Sequence, residues 1–581
     1  MANTLNVSTS AVIRESKPPA IHRVSPPRDA SALVASLLAE QHDLSAVERF
    51  SQRHATSDEP SQAKYYRSLL PASPPGPGQQ YAFEVDLDRC SGCKSCVTAC
   101  HTLNGLDEHE TWREVGLLHG GTPELPILQH ATTACHHCLD PACMTACPVR
   151  AYEKHPETGI VKHLDDQCIG CQYCVFACPY DVPKYNPRRG IVRKCDMCSE
   201  RLAVGEAPAC VQACPHEAIR ITVAGQQDVI ANCETNSFLP GAPEPTITFP
   251  TTNYKTARAL PRNLLPADYY SVKREHAHWP LIVMLVLTQL SVGAFLVELA
   301  MRRVPGSGVL AALRPIHSTS ALLFGLLALA ASVLHLGRPR YAFRAILGLR
   351  TSWLSREILA FGLFAAAAVV YAASTWWSNA SVASAGDTLL AFAVVGLGLA
   401  GVFCSVMVYA VTRRAFWNAA ATSAKFLLTM STLGAATALS TSYINAASIE
   451  AIRGGALMAD YGRQVCVVLT ASMAVKLLVE ASIFRHVRQK QASPLRRSAL
   501  LMLGELAAVT KSRFICGFVG GIALPGLLLQ IGAPPSGQPG DLFTGLVAST
   551  LFVACLAGEL LERYLFFAAV AQPKMPGGVG G

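Results

Sequence analysis

The sequence predicts a small α+β domain rich in cysteine, followed by an all-α bundle of eight transmembrane helices. Two observations lead to this prediction. Sixteen of the 21 cysteines fall between Cys90 and Cys214, and from Trp279 onward the chain is a series of apolar runs. The 581 residues are 51% hydrophobic and only 15% charged, and they are too many for one ordinary domain. Much of the C-terminal positive charge lies in short loops between apolar runs, where such charge orients membrane proteins. We therefore expect a membrane and not a nucleic acid as the partner of this half.

The sixteen cysteines form four groups of four. Group one is Cys90, Cys93, Cys96 and Cys100; group two is Cys135, Cys138, Cys143 and Cys147; group three is Cys168, Cys171, Cys174 and Cys178; group four is Cys195, Cys198, Cys210 and Cys214. Three thiolates at C-x2-C-x2-C surround one iron–sulfur cubane. A fourth cysteine, commonly followed by proline, ligates the other cluster in two-cluster ferredoxins. Pro148, Pro179 and Pro215 follow the last cysteines of groups two to four, while His101 follows Cys100.

Structural zinc is the alternative for cysteines at this spacing, because isolated C-x2-C pairs often bind it. The fourfold repeat favours sixteen iron ligands, and therefore four [4Fe–4S] clusters in a ferredoxin-like four-cluster domain. We find no phosphate-binding glycine motif and no nucleophile arrangement in this half. The domain is therefore interpreted as an electron-transfer domain that lacks a substrate pocket of its own.

Eight runs in the C-terminal half approach the ~20 residues needed to span a bilayer. They cover about 280–301, 316–336, 357–377, 388–411, 418–441, 464–484, 514–532 and 542–566. The seventh run contains Gly520, Gly521 and Pro525, so we expect it to be bent. A soluble helical core is the alternative, but eight such runs in series argue against it.

Basic residues in the loops predict the orientation. Fourteen Lys and Arg lie on the side that carries the cysteine groups, against five on the other side, so the positive-inside rule places the cysteine groups in the cytoplasm. The fourteen are Arg338, Arg340, Arg344, Arg350, Arg356, Arg413, Arg414, Arg485, Arg488, Lys490, Arg496, Arg497, Lys511 and Arg513, and the five are Arg302, Arg303, Arg314, Arg453 and Arg463. No signal peptide or twin-arginine pattern is recognised at the N-terminus, so we expect an inner-membrane, multi-pass protein.

The predicted domain order follows from these divisions. It is an N-terminal extension (1–80), the four-cluster domain (81–225), a linker (226–275), the membrane anchor (276–570) and a tail (571–581). The extension is Pro-rich and partly helical. "SALVASLLAEQ" has helical periodicity, and Ser45 with Glu48 fits a capping box. A docking arm for a partner and a tethered extension both fit this segment.

Two stretches carry a resemblance to a known family. "DDQCIGCQYCVFACPYDVPKYNPRRGIVRKCDMC" resembles the four-cluster electron-transfer subunit of dimethyl sulfoxide reductase and related molybdopterin oxidoreductases. "HAHWPLIVMLVLTQLSVGAFL" and "ASVLHLGRPRYAF" followed by "WLSREI" resemble the membrane anchor of that enzyme. The chain thus resembles a fusion of the two subunits over about three quarters of its length.

The resemblance implies how the cysteines are shared. Group one pairs with group four, and group two with group three. The implied ligand sets are Cys90, Cys93, Cys96 with Cys214; Cys195, Cys198, Cys210 with Cys100; Cys135, Cys138, Cys143 with Cys178; and Cys168, Cys171, Cys174 with Cys147. It also implies a separate catalytic subunit with a molybdopterin cofactor and a quinol site in the anchor. The remaining cysteines are Cys233, Cys404, Cys466, Cys516 and Cys555, and the last four are expected to be packing residues in apolar spans.

His335 and Glu357 are the candidates for the quinol site. An ionisable residue at a membrane span is a functional candidate, and histidine has a pKa suited to accepting a quinol proton. The family has a histidine in the matching HLG motif and an acidic residue matching Glu357. An interfacial histidine that only reaches toward water is the alternative. Lys476 and Glu480 are four residues apart on one helix, so we expect a mutual ion pair there.

Function is predicted accordingly. The chain takes electrons from menaquinol or another membrane quinol through four clusters to the catalytic subunit. Two alternatives stay open: the reverse reaction, in which a formate or sulfur-compound dehydrogenase reduces quinone, and a redox-sensing membrane protein.

Overall fold

The computed structural model describes residues 30–42, 45–56, 62–108, 110–236, 238–271, 273–302, 308–377, 385–446, 457–490, 493–531 and 540–577. The first Pro-rich stretch before Ala30, together with Arg303 and Arg453, lies outside these ranges. The chain divides into two compact units, Met1–Tyr65 and Tyr66–Gly581.

The first unit contains the described helices α1 (Ala30–His42) and α2 (Ala46–Thr56), and the short helix Ala63–Tyr66 begins in its last residues. The predicted capping box at the start of α2 is confirmed. The amide of Glu48 donates to Ser45 Oγ at 3.2 Å, and the amide of Ser45 donates to Glu48 Oε2 at 2.7 Å. These two bonds satisfy backbone donors that the first turn leaves without helical partners.

Short strands build the cysteine-rich part of the second unit. They are β1 (Gln79–Asp86), β2 (Glu114–Gly121), β3 (Pro126–Thr133), β4 (Tyr152–Lys154), β5 (Val161–His163), β6 (Lys184–Asn186), β7 (Ile191–Arg193), β8 (Ile219–Gly225), β9 (Asn253–Lys255) and β10 (Leu265–Pro266). Two three-stranded sheets have the orders β8-β1-β9 and β10-β2-β3, and β4-β5 and β6-β7 form two hairpins. β1 pairs antiparallel with β8 from Gln79↔Gly225 to Val85↔Ile219, and parallel with β9.

Short helices accompany the cysteine groups. They are α3 (Ala63–Tyr66), α4 (Ser95–Leu103), α5 (Ala142–Ala146), α6 (Tyr173–Ala177), α7 (Ser199–Ala203), α8 (Ala209–Gln212) and α9 (Gln226–Glu234). α4 from group one packs on α8 from group four, and α5 from group two packs on α6 from group three. This small α/β arrangement therefore pairs distant parts of the sequence.

Long helices form the rest of the second unit. They are α10 (Trp279–Met301), α11 (Gly308–Leu334), α12 (Trp353–Trp377), α13 (Ala385–Ala410), α14 (Ala419–Ala446), α15 (Arg463–Ala481), α16 (Pro494–Leu503), α17 (Ala507–Phe518), α18 (Leu524–Ile531) and α19 (Gly540–Ala568). Within the described residues, seven helical segments are long and apolar enough to cross a membrane. The protein is thus a multi-pass membrane protein, and its spans begin and end a few residues from the predicted bounds.

The predicted span at 418–441 falls on α14, which is not among those seven. Its sequence is rich in Ser and Thr, which lowers its hydropathy although it is a 28-residue helix. Hydroxyl groups in α14 donate back to its own carbonyl groups, as from Thr429 to Lys425 O and from Thr437 to Leu433 O. Such bonds satisfy the hydroxyl groups inside the helix, and α14 packs against α10, α15 and α19. An eight-span bundle therefore stays a proposal, with α14 as the shielded eighth helix.

The predicted seventh span contains a local irregularity at its glycines. Regular helix stops after Phe518, a π-helical turn covers Val519–Ala523, and α18 resumes at Leu524. A Cβ atom added at Gly520 would lie 2.8 Å from the amide nitrogen of Cys555 on α19. The π-helical turn thus coincides with a close approach of two helices.

The expected ion pair between Lys476 and Glu480 is wrong. Lys476 instead contacts Glu559 of α19, while Arg513 of α17 donates to both carboxylate oxygens of Glu480 at 2.7 and 2.9 Å. Arg513 also reaches Glu559 at 3.1 Å, so four buried charges neutralise one another across three helices. The i,i+4 rule describes solvated helix faces. Buried charges require closer and more complete pairing, which neighbouring helices supply here.

The segment expected as a linker and the C-terminal tail both lie against the cysteine-rich part. Residues 226–275 supply α9, β9 and β10. In the tail, Met575 is buried beside Leu118, and the amide of Leu117 in β2 donates to Gly577 O at 3.3 Å. Lys574 pairs with Asp268 at 2.6 Å. The anchor is therefore bound to the cysteine-rich part at both ends of its sequence.

Candidate functional site

The sixteen grouped cysteines are brought together in four sets, defined by thiols close enough to interact electrostatically. The sets are quartet A (Cys147, Cys168, Cys171, Cys174), quartet B (Cys135, Cys138, Cys143, Cys178), quartet C (Cys100, Cys195, Cys198, Cys210) and quartet D (Cys90, Cys93, Cys96, Cys214). A small cavity is lined by all four cysteines of quartet D. These are the sets that the family resemblance implies.

The quartets follow one another in space in the order A, B, C, D. Tyr152 lies beside Cys174 and Cys147 of quartet A and Cys143 of quartet B. Cys135 of quartet B interacts with Cys195 of quartet C, and Cys210 of quartet C interacts with Cys96 of quartet D. Cys93 of quartet D is exposed, whereas every thiol of quartets A to C is buried or half-buried. The row therefore begins inside the protein and ends at its surface.

A repeated backbone conformation shapes the four loops. The residue directly before the second cysteine of each group has a positive φ: 76° at Gly92, 42° at His137, 70° at Gly170 and 61° at Met197. Left-handed residues turn successive amide groups toward one side of a loop, which creates a concave site for anions. In three of the groups the amide of this residue donates to the first cysteine, from Gly92 to Cys90 and, at 3.4 Å each, from Gly170 to Cys168 Sγ and from Met197 to Cys195 Sγ.

A second repeat follows the last cysteine of each group. The amide of Ala151 donates to Cys147 Sγ, and the amide of Ala218 donates to Cys214 Sγ, both at 3.2 Å. The backbone of Val182 bonds to Cys178 in the same way, and the Asn104 side chain donates to Cys100 Sγ at 3.5 Å. The partner is the fourth residue after the cysteine in every case. Hydrogen bonds to cysteine sulfur are one of the means by which proteins set cluster potentials.

These residues fit [4Fe–4S] clusters better than single metal ions. Among the residues that the structure describes, no three His, Cys, Asp or Glu side chains converge as they would around one ion. A cubane binds each cysteine at a different iron, so its thiols stand farther apart. Burial raises the pKa of the Cys178 thiol to about 11 and that of Cys100 to about 12. Such thiols stay protonated unless a metal stabilises the thiolate, which iron does on ligation.

Quartet A lies directly on the membrane half. The amide of Gly348 donates to Pro148 O at 2.7 Å, and Ser352 Oγ donates to Ala146 O at 2.6 Å. From the same loop, the amide of Arg338 donates to Ile169 O at 3.0 Å. The basic loop between α11 and α12 thus contacts the backbone on both sides of Cys147 and directly after Cys168. Arg414, between α13 and α14, donates to Phe176 O at 3.2 Å, so both loops lie on the cysteine-rich side.

His335 lies at this junction, immediately after α11. Its Nδ1 is 2.8 Å from Ser332 O, and its Nε2 is 3.4 Å from Cys171 O of quartet A. A protonated imidazole donates to both carbonyl groups, whereas a neutral one donates to only one. The adjacent Leu334 side chain is 78% exposed, and Phe343 is also exposed. The half-buried imidazole therefore stands between quartet A and an apolar outer surface.

Glu357 lies in the first turns of α12 and is more deeply buried than His335. Its side chain is 3% exposed and accepts a hydrogen bond from Ser405 of α13. It lies close enough to Tyr173 to interact electrostatically, and Tyr173 precedes Cys174 of quartet A and donates to Val408 O at 2.9 Å. His335 and Glu357 therefore approach the same quartet, each through a different part of its loop.

His278 was not predicted as part of this region. Its ring packs edge-on against the ring of Phe176, with 5.5 Å between the ring centroids. Phe176 lies between Cys174 and Cys178 in the sequence. Burial, with His276 and His335 nearby, lowers the pKa of His278 to about 4, so it is neutral near pH 7. The sequence signal was the "HAHW" start of α10, which places a histidine one residue before an apolar span.

Comparisons with known proteins identify a family for each half of the sequence. A family model for a 4Fe-4S dicluster domain matches residues 128–224, and one for the DMSO reductase anchor subunit (DmsC) matches residues 273–568. The sequence is 39% identical over 148 residues to the B subunit of the anaerobic dimethyl sulfoxide reductase of Escherichia coli K12, which is 24% of this protein and 72% of that subunit. It is 38% identical over 147 residues to the thiosulfate reductase electron transfer subunit PhsB of Salmonella typhi, covering 24% and 74%.

The two matches fall on different halves of one polypeptide. The iron–sulfur match covers the cysteines of groups two to four, and the anchor match begins at residue 273, just before α10. This protein belongs to the dimethyl sulfoxide reductase family of membrane electron-transfer proteins, with the iron–sulfur subunit and the membrane anchor joined in one polypeptide.

Proposed function

We propose that this protein oxidises a membrane quinol at His335 and conducts the electrons through four [4Fe–4S] clusters to a separate molybdopterin-containing catalytic subunit. The observation that carries the proposal is the position of His335. Its imidazole reaches the backbone of Cys171 on one side and adjoins an exposed apolar surface on the other. A quinol that diffuses in the bilayer meets such a surface first.

The proposed reaction transfers two electrons and two protons. Oxidation of one quinol to a quinone releases two electrons and two protons, and the electrons leave one at a time. His335 accepts one proton as a general base, and Glu357 relays this proton or orients the imidazole. The second proton leaves to water on the side of the cysteine-rich part. The clusters, held by the four quartets, supply one-electron carriers between the quinol and the partner. The catalytic subunit consumes the electrons in pairs.

The exit is proposed at quartet D, because Cys93 is exposed and Cys90 is half-buried there. Relatives named as the B subunit of dimethyl sulfoxide reductase and the electron transfer subunit of thiosulfate reductase support a molybdoenzyme partner at that end. The row from quartet A to quartet D then runs from membrane to partner. The inner membrane, with the quartets on the cytoplasmic side, is the proposed location, because the basic loops bind the cysteine-rich part.

The first experiment counts iron. Anaerobically purified protein is expected to hold about sixteen irons per polypeptide, because four cubanes contain four irons each. Metal analysis combined with electron paramagnetic resonance (EPR) of the reduced protein measures this. An iron count near eight, or zinc in place of iron, contradicts the four-cluster assignment.

The second experiment tests His335. The His335→Ala variant is expected to lose quinol-dependent cluster reduction by 10²–10⁴-fold, the usual cost of removing a general base. Dithionite, which bypasses the quinol, is expected to reduce the clusters fully. Glu357→Gln is expected to give a smaller loss.

His276→Ala is the matched control, because it makes the same change at an exposed histidine near His278. Its quinol-dependent rate is expected to equal that of the wild type. If His335→Ala oxidises quinol at the normal rate, the site lies elsewhere, and Lys425 and Glu480 are the next positions to test. A complex that reduces quinone faster than it oxidises quinol favours the reverse, dehydrogenase reaction.

A further inference from the structure

Two buried cations lie at two of the three junctions in the row of quartets, those between B and C and between C and D. Arg113 in the segment before β2 is 2% exposed and interacts with Cys96 of quartet D and with Cys100, Cys195 and Cys210 of quartet C. Lys194 after β7 is 3% exposed and interacts with Cys135 and Cys143 of quartet B and with Cys195 of quartet C. Each cation therefore interacts electrostatically with two quartets.

Both side chains are fixed by hydrogen bonds. Arg113 Nη1 donates to Thr132 Oγ1 at 3.1 Å, and Thr132 Oγ1 lies 3.5 Å from Cys96 Sγ. The guanidinium also lies over the Phe83 ring, 4.6 Å from its centroid. Lys194 Nζ donates to Cys195 O at 2.9 Å, to Val161 O, and to Cys135 Sγ at 3.6 Å. These contacts hold both cations beside the thiols.

Neither cation has a carboxylate partner within salt-bridge distance in the part of the sequence that the structure describes. An isolated charge at this depth is costly unless an opposite charge accompanies it. The neighbours that qualify for Arg113 are the thiolates of the quartets, and for Lys194 they are the thiolates together with Asp196, which contributes less than the thiolates and lies beyond salt-bridge distance. Four thiolates leave a bound cubane anionic, and reduction adds a further negative charge.

The junction between quartets A and B is different. Tyr152 occupies it with a neutral phenol, whose hydroxyl finds no hydrogen-bond partner among the described residues apart from a contact with Cys174. The ionisable group at Cys168 of quartet A is His163, which Asp165 neutralises at 2.9 Å. Lys154, near Cys138 of quartet B, is only about half-buried and donates to two carbonyl groups. A further buried cation without a salt bridge, Arg414, donates to Phe176 O between Cys174 of quartet A and Cys178 of quartet B, but its larger electrostatic partners are the carboxylates of Glu275 and Asp181. Among the described residues, the buried cations whose largest electrostatic partners are thiols thus lie at the B–C and C–D junctions.

We propose that the positive charges of Arg113 and Lys194 stabilise the reduced state of the clusters in quartets B, C and D. The reduced cluster in quartet A is stabilised less. This inference rests on the proposed four-cluster function and adds a direction to it. A fixed positive charge favours the more negative, reduced form of each neighbouring cluster. Electrons that enter at quartet A are therefore drawn outward, away from the membrane.

The test is a potentiometric titration followed by EPR on the full-length, iron-loaded protein. Arg113→Gln is expected to lower the reduction equilibrium constants of two of the four clusters by about tenfold or more, which is 59 mV for one electron. Lys194→Gln is expected to lower those of two clusters as well. One cluster, that of quartet C, is expected to respond to both variants, and one, that of quartet A, to neither.

Two kinds of control accompany these variants. Arg113→Lys and Lys194→Arg keep the charge and are expected to keep the wild-type potentials within about threefold in equilibrium constant. Arg89→Gln removes a cation next to Cys90 that is solvent-exposed and paired with Glu217 at 3.0 Å. Solvent screening is expected to leave the potentials in that variant nearly unchanged.

The cluster potentials and the iron content of the variants test the inference together. Unchanged potentials in iron-loaded Arg113→Gln and Lys194→Gln overturn the inference, as does a uniform shift of all four clusters. If both Gln variants fail to retain iron while the charge-retaining variants load fully with wild-type potentials, a cation is required at these positions and the inference stands. If the charge-retaining variants fail as well, the side chains have a packing role and the inference is wrong. A wild-type protein with fewer than four clusters would instead refute the proposed function.

Discussion

Gly337 is a point where the membrane half and the cysteine-rich part meet backbone to backbone. A Cβ atom added there would lie 2.2 Å from Gly190 O and 2.6 Å from Gly190 C, and a Cβ atom at Gly190 would lie 2.5 Å from Gly337 O. A backbone carbonyl cannot avoid this contact by changing rotamer. Gly337→Ala is therefore expected to push the loop after α11 away from the loops of quartet A.

The size of the effect follows from the contacts at risk. The amide of Gly337 donates to Gly170 O at 3.4 Å, and the amide of Arg338 donates to Ile169 O at 3.0 Å. Overpacking costs about 1–3 kcal/mol and each lost hydrogen bond about 0.5–1.5 kcal/mol, so the docked arrangement loses about 2–6 kcal/mol. The lower limit is a shift of roughly thirtyfold in the docking equilibrium.

The assay compares two reductants on the same protein. Quinol-dependent cluster reduction is expected to fall at least about tenfold in Gly337→Ala, whereas dithionite reduction and iron content stay at wild-type levels. Gly362→Ala in α12 is the matched control, because a Cβ atom there meets nothing within 4 Å. A Gly337→Ala protein that oxidises quinol at the wild-type rate would refute the idea that this contact couples the two halves.

Three further predictions address single features. Cys174→Ser is expected to perturb the cluster of quartet A and stop quinol-dependent reduction of the other three, as EPR with each reductant would reveal; full reduction by quinol would contradict a single path. A reporter enzyme fused after Gly581 is expected to be active only in the cytoplasm, and digestion of the cysteine-rich part by protease added to intact spheroplasts would contradict that orientation. Ser45→Ala is expected to destabilise α2 by about 1 kcal/mol, measured as helix content of the isolated segment 30–56 by circular dichroism, with Ser51→Ala in mid-helix as the control.

Local sequence patterns predicted the parts of this fold that depend on local physics. The spacing from Cys168 to Cys174 already implied three thiols around one site, and Ser45 with Glu48 already implied a cap. Apolar runs predicted the long helices, because a spanning segment must be both long and apolar. α14 shows the limit of hydropathy as a predictor of long helices. Its Ser and Thr side chains lower the hydropathy of the helix, although their hydroxyl groups donate to carbonyl groups within it.

Contacts between distant segments could not be predicted in the same way. Nothing in the spacing of Lys476 and Glu480 reveals that Glu559 and Arg513 lie closer in space. Arg113 and Lys194 look like ordinary surface cations in the sequence, and only the folded protein places them between quartets. His335 was predicted as a candidate from its place at the end of an apolar run, but its contact with Cys171 O depends on how the two halves dock.

The C-terminal tail gives the docking a second point of attachment. The cysteine-rich part is joined to α10 through the polypeptide itself, and it is joined again to the end of α19 through Met575 and Gly577 on β2. When one attachment opens, the other keeps the partners at an effective concentration on the order of millimolar. If the junction at His335 loosens, it can therefore close again without a bimolecular search. A C-terminal truncation at residue 570 removes this second attachment while leaving every proposed redox group in place.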